Sequence, residues 1–194
     1  MTVSGVIFDL DGTLTVPNLD FDLLREKIGV GPEPVLEHIE GLEGEAAGHA
    51  WRILEAWEAQ GAQEASLADG VHECMDYLEA EGIRKAVLTR NSRQSTDIVL
   101  GRFGLSFDAI VAREDAAPKP SPEPVLLLSR KLETTAGEVV MVGDYLFDVQ
   151  AGNRAGARTV LLVHGEVPDY AGQADYVISS LRELIPILEG LNGG

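Results

Sequence analysis

The stretch Val6-Ile7-Phe8-Asp9-Leu10-Asp11-Gly12-Thr13-Leu14 limits what this chain can fold into more than any other. Val6 to Phe8 reads as a strand buried on both faces, because no polar residue alternates with the apolar ones. The run stops in two carboxylates one residue apart, followed by a glycine. In open α/β sheets ligands bind beyond the carboxyl ends of the strands, so Asp9 and Asp11 stand where chemistry would be placed. Asp-x-Asp alone is the ordinary pattern of a strand followed by an Asp-rich turn.

Three later runs end as abruptly. Lys85 to Leu88 reads as a strand running into Thr89-Arg90-Asn91, where the threonine either finishes the strand, caps the next helix or offers its hydroxyl to a ligand. Phe107 to Ala112 gives a third strand, followed by Ala117-Pro118-Lys119-Pro120-Ser121-Pro122-Glu123-Pro124. Proline fixes its own φ and keeps the preceding residue out of the helical region, so Lys119 sits either on a stiff, aimed backbone or in a solvated proline-rich loop. Ser121 reads as a helix N-cap with Pro122 in the first turn and Val125, Leu128 and Leu132 as the buried stripe. Val139 to Gly143 is a buried strand delivering Asp144, and Asp148 follows near the start of a helix ending about Gly156. Asp148 also suits a helix N-terminus on dipole grounds alone.

In this order, Asp9-Leu10-Asp11-Gly12-Thr13-Leu14, Thr89, Lys119-Pro120 and Gly143-Asp144-x-x-x-Asp148 resemble the four motifs of the haloacid dehalogenase-like hydrolases, a superfamily made up mostly of phosphatases. The branch resembled is that of phosphoglycolate phosphatases and phosphoglucomutases with a helical cap. The resemblance implies a Rossmann-like parallel sheet with helices on both faces, built from residues 1–14 and 68–194. It implies an all-helical cap over 15–67, inserted after the first strand. Asp9 would attack phosphorus and Asp11 would act as general acid and base. Thr89 would bond a phosphate oxygen, and Lys119 would offset negative charge. Asp9, the backbone carbonyl of Asp11, and Asp144 would hold Mg²⁺, with Asp148 orienting a water or Lys119. Arg90 departs from the small or polar residue usual at its position; it and Asn91 are candidate substrate contacts, and surface decoration fits Arg90 equally. The expected activity is Mg²⁺-dependent hydrolysis of a small phosphomonoester through an aspartyl-phosphate. A dehalogenase is disfavoured because Asp11 is present. The alternatives are a phosphomutase of the same family and a non-catalytic binding protein on the same fold.

Between the first two motifs no strand pattern occurs. Phe21, Leu24 and Ile28 precede Gly29 at helical spacing, Val35, Leu36 and Ile39 precede Gly41, and Ala46 to Trp57 mark a third, longer helix. This segment carries Arg25, Lys27 and Arg52 against eleven acids, a balance of −8. The expected leaving group is therefore a sugar or another neutral alcohol. The whole chain carries −17. That charge would repel nucleic acid and anionic membranes, and the partner that the resemblance implies is a small phosphorylated metabolite. No apolar run reaches the length of about 18 residues that a span requires, and no basic and apolar leader opens the chain, which points to a cytoplasmic protein. Cys74 lies on the apolar stripe Val71, Cys74, Met75, Leu78 and reads as a packed thiol. The four histidines show no ligand spacing and receive no role. At the C-terminal end, strands over 159–163 and 176–178 are expected, then a helix bearing Leu181, Leu184, Ile185 and Leu188. Ser180 and Glu183 have capping-box spacing, Pro186 should bend that helix, and residues 190–194 read as a frayed tail.

Overall fold

The computed structural model describes residues 2–17, 20–31 and 33–193. Its strands are Gly5–Phe8 (β1), Arg84–Leu88 (β2), Ala109–Val111 (β3), Val139–Gly143 (β4), Arg158–Leu162 (β5) and Tyr176–Ile178 (β6). They pair in parallel in the order β3-β2-β1-β4-β5-β6. Hydrogen-bonded on both sides, β1 is buried throughout. Its side chains alternate between two cores. Val6 and Phe8 pack with Val71–Ala80 (α4), Arg93–Phe103 (α5) and Leu184–Asn192 (α8), whereas Ile7 packs with Glu123–Lys131 (α6) and Leu146–Ala155 (α7). Each such apolar side chain contributes roughly 1.5–3 kcal/mol on full burial. The α/β architecture expected from the strand pattern is the one observed.

Three helices lie between β1 and α4: Phe21–Ile28 (α1), Val35–Glu40 (α2) and Gly44–Glu64 (α3). Asp20 starts α1 by accepting hydrogen bonds from the Asp22 and Leu23 N–H groups. The three helices share a core of their own, with Leu24, Leu36, Ile39, Ala50 and Leu54 at its centre and Trp51 and Trp57 packed against it. The two ends of the segment are tied together where they leave the sheet. Ala68 N–H donates to the Leu14 carbonyl at 3.0 Å, and Val16 N–H to that of Ser66 at 2.9 Å.

Four local readings change. α6 begins at Glu123 with Pro122 in the N-cap place, so Ser121 lies one residue outside the helix, its hydroxyl accepting from Glu123 N–H at 3.2 Å. The last helix is divided, with a 3₁₀ turn over Leu181–Glu183 before α8, so Pro186 falls in the first turn, where its missing N–H costs nothing and no bend is needed. Glu183 bonds the N–H and hydroxyl of Ser179 instead of closing a box on Ser180. Finally, 190–192 are helical, and Asn192 accepts from Val3 N–H at 2.6 Å; Gly194 lies outside the described residues. Burial pushes the Cys74 thiol up to about 12, leaving it protonated and inert. Among the described residues no helix is long and apolar enough to cross a membrane.

Candidate active site

From β1 the chain moves outward through β2 to β3, then crosses back to β4 on the other side, so β1 and β4 meet at the switch point of the sheet. A crevice opens there beyond the carboxyl ends. Asp9 follows β1 and Asp144 follows β4, with Asp9 N–H still bonded to the Val142 carbonyl at 2.9 Å. Thr89 follows β2, its N–H bonded to the Val111 carbonyl. Two glycines permit the close approach. Gly12 turns the chain at φ +77, and a Cβ on it would lie 2.1 Å from Asp144 Oδ2. A Cβ on Gly143 would lie 2.1 Å from Asp148 Cγ.

Lys119 joins these elements. It is 3% exposed, and its Nζ donates to Asp9 Oδ1 at 2.6 Å, to Asp148 Oδ1 at 2.6 Å and to the Leu88 carbonyl at 3.2 Å. Its peptide bond to Pro120 is cis, which the proline pattern does not disclose. Asp148 sits in the first turn of α7, where Oδ2 also accepts from Tyr145 N–H at 3.1 Å, so both its oxygens are engaged. Burial opposes the Lys119 ammonium, but Asp148 and Asp9 more than offset this and hold its pKa above the ordinary lysine value.

The carboxylates outnumber the cation. Burial pushes Asp9 well above its ordinary pKa; Lys119 pulls it back, and Asp148 and Asp144 push it further up. Burial, then the Asp148 charge, raises Asp144 to about 7. Asp9, Asp144 and Asp148 each offer an oxygen within 4.8 Å of the others. An all-oxygen donor set with unbalanced negative charge fits a hard divalent cation such as Mg²⁺.

Asp11 lies across the crevice. Its Oδ2 accepts from Asn91 Nδ2 at 2.5 Å, and burial raises its pKa despite that bond. Asn91 N–H donates to Thr89 Oγ1 at 3.1 Å, leaving the threonine hydroxyl hydrogen free to be given elsewhere. Arg90 reaches the helical segment instead of solvent. One terminal nitrogen donates to both Glu37 oxygens, at 2.9 and 2.7 Å, the other to the Lys119 carbonyl, and the guanidinium lies over the Phe147 ring.

All the sequence-nominated residues, Asp9, Asp11, Thr89, Arg90, Asn91, Lys119, Asp144 and Asp148, line one cavity of about 570 Å³. The helical segment supplies its other wall, including Phe21, Arg25, Leu36, Leu54 and Glu58. Two residues at the site received no role from the sequence. Glu58 is buried, takes the Arg113 guanidinium and Ser92 N–H, and ties α3 to the sheet side; burial raises its pKa against the pull of Arg113. Its signal was a charge at helical spacing on the buried stripe Ala50, Leu54. His164 Nε2 contacts the Gly12 carbonyl at 2.5 Å, and its place two residues past β5, at the same sheet edge, was the clue.

Comparison with known proteins agrees with this geometry. A family model described as haloacid dehalogenase-like hydrolase matches residues 15–162. A haloacid dehalogenase-like hydrolase domain-containing protein of Arabidopsis thaliana is 33% identical over 192 residues, covering 92% of this chain and 77% of its own. The pyrophosphatase PpaX of Bacillus velezensis is 29% identical over 208 residues, covering 95% and 96%. A hydrolase from Pseudomonas syringae has the same fold, with a TM-score of 0.83 at 19% identity over 97% and 99% of the two chains. The profile match begins just after Leu14, so the Asp9-x-Asp11 pair stands on its geometry at the switch point; with that pair, the lysine and the acid pair after β4 gathered in one crevice, the chain belongs to the haloacid dehalogenase-like hydrolase family.

Proposed function

We propose that this hydrolase is a Mg²⁺-dependent phosphatase that cleaves a small phosphomonoester through an aspartyl-phosphate on Asp9. The supporting observation is the Asp9–Lys119–Asp148 chain at the switch point, with Asp11 beside it in the same cavity. Phosphate esters resist attack because an anionic nucleophile meets an anion, so a site must hold the two together and offset their charge. The Asp9 oxygen forms the bond to phosphorus while the ester oxygen leaves. Lys119, held between Asp9 and Asp148, balances the gathered charge; one close opposite charge contributes on the order of 4 kcal/mol at an effective dielectric of about 20. The Thr89 hydroxyl donates to a phosphate oxygen. Asp11, with its pKa raised by burial, holds a proton for the departing alkoxide. It then takes a proton from the water that cleaves the acyl phosphate, which returns Asp9 free and releases inorganic phosphate. Asp9, Asp144 and the Asp11 carbonyl would hold Mg²⁺, which when bound supplies positive charge to the phosphoryl oxygens.

In this reading 15–67 is a cap over a catalytic core of 1–14 and 68–194, and it excludes water from the cavity. The charge of −17 fits a cytoplasmic protein acting on a metabolite. Magnesium-dependent turnover of p-nitrophenyl phosphate tests the proposal, with loss in Asp9→Asn and after chelation. A binding module on this fold gives no turnover under any of these conditions.

A further inference from the structure

The phosphatase reading leaves the far side of the cavity unexplained, and on that reading we infer that Arg25 is a substrate-binding residue. It receives a second anionic group, a carboxylate or a second phosphate, carried by the leaving group. Helix α1 places it there. Phe21 and Arg25 are one turn apart on the face that lines the cavity, while Leu24 is buried in the helical segment's own core. The three basic residues of this segment do not share one environment. Lys27 lies over the Trp57 ring and Arg52 is exposed, and neither lines the site cavity. The cavity's other cations are committed: Lys119 to Asp9 and Asp148, and Arg90 to Glu37 and the Lys119 carbonyl.

Arg25 is not committed. Its Nε is buried, with no hydrogen-bond partner among the described residues. One terminal nitrogen bonds Asp22 at 2.9 Å, but that carboxylate is 95% exposed, and such a surface pair is weak and screened. A buried donor left unmade is costly, and a planar guanidinium is matched by a carboxylate or phosphate that takes two of its donors together. The helical wall of the same cavity also contributes Phe21, Leu36 and Leu54, so the body joining the two anions meets apolar surface. The segment's balance of −8 suggested a neutral alcohol; the one inward-facing cation points to a leaving group that is itself an anion.

The test compares kcat/KM of wild type and Arg25→Gln on 3-phosphoglycerate, fructose 1,6-bisphosphate, glycerol 3-phosphate and p-nitrophenyl phosphate. Wild type should prefer at least one of the first two over glycerol 3-phosphate. Arg25→Gln should lose about 10–100-fold more on that substrate than on the neutral-tailed one, the range set by hydrogen bonds to a charged group. A specific loss on the carboxylate identifies that tail, and a specific loss on the bisphosphate identifies a second phosphate. Asp22→Asn, which frees the guanidinium of its surface partner, should lower KM for the same substrate by about 2-fold while leaving Arg25 in place. Arg25→Lys should retain part of the preference. Equal losses on all four, or no preference in wild type, overturn the subsite while p-nitrophenyl phosphate turnover still upholds the phosphatase reading. Absence of any turnover by wild type overturns both.

Discussion

Asp11 is where one side chain decides between two mechanisms. If it protonates the leaving alkoxide, its loss matters most when that alkoxide is strongly basic, since a general acid contributes roughly 10²–10⁴-fold. Single-turnover phosphorylation should therefore slow far more for Asp11→Asn on glycerol 3-phosphate than on p-nitrophenyl phosphate, whose phenolate leaves unaided. Equal losses on both would show that the carboxyl only shapes the loop. Gly12 makes a second prediction. Gly12→Ala puts a methyl on a left-handed backbone and 2.1 Å from Asp144 Oδ2, so it should cut activity at least ~10-fold, read by the same assay, with a stability loss of roughly 1–3 kcal/mol by urea titration. The acids and Lys119 were legible because their motifs follow the strands in an order that resembles a known family; the apolar runs alone left a turn, a solvated loop and a helix N-terminus open. The partners that hold them were not. Asn91 on Asp11 and His164 on the Gly12 carbonyl join positions 80 and 152 residues apart, and no local pattern carries such pairings.

The elements show the same contrast. Helices and strands were legible in outline from period and caps, whereas the split before α8 was not, because a 3₁₀ turn and an α-helix share nearly the same apolar spacing. Contact between α2, α3 and the sheet side includes two ion pairs of unlike kind. Arg90 and Glu37 are partly exposed, so Arg90→Ala should lower stability by less than ~1 kcal/mol, yet it should reduce kcat/KM because the same guanidinium holds the Lys119 carbonyl. Glu58 and Arg113 are 4% and 10% exposed at the side chain. Glu58→Ala leaves the guanidinium buried and unpaired and should cost ~3–5 kcal/mol, measured by the urea midpoint. A loss under 1 kcal/mol would mean that Arg113 finds solvent once released.

At the scale of the molecule, the fold concentrates acids where the strand order reverses. Asp144 is raised to about 7 from an ordinary 3.8, so as pH climbs between those values the unfolded chain has already released a proton that the native state still holds. Stability of the metal-free protein should therefore fall across that window. Lys119, raised above the ordinary lysine value, contributes evenly there, since its stabilisation is lost only at higher pH. The apo-protein Tm should drop by several degrees from pH 5 to 7.5, at ~2–4 °C per kcal/mol, and Mg²⁺ should raise Tm more at pH 7.5 than at pH 5. A Tm that rises with pH, without metal, would contradict the charge imbalance. The central claim is that Asp9 is the nucleophile, and rapid-quench mass spectrometry during turnover of a phosphomonoester with Mg²⁺ tests it most directly. The account predicts one phosphoryl group on the peptide holding Asp9, labile to hydroxylamine and absent in Asp9→Asn. Full turnover with no phosphoenzyme, or with the phosphoryl group on another residue, would contradict it.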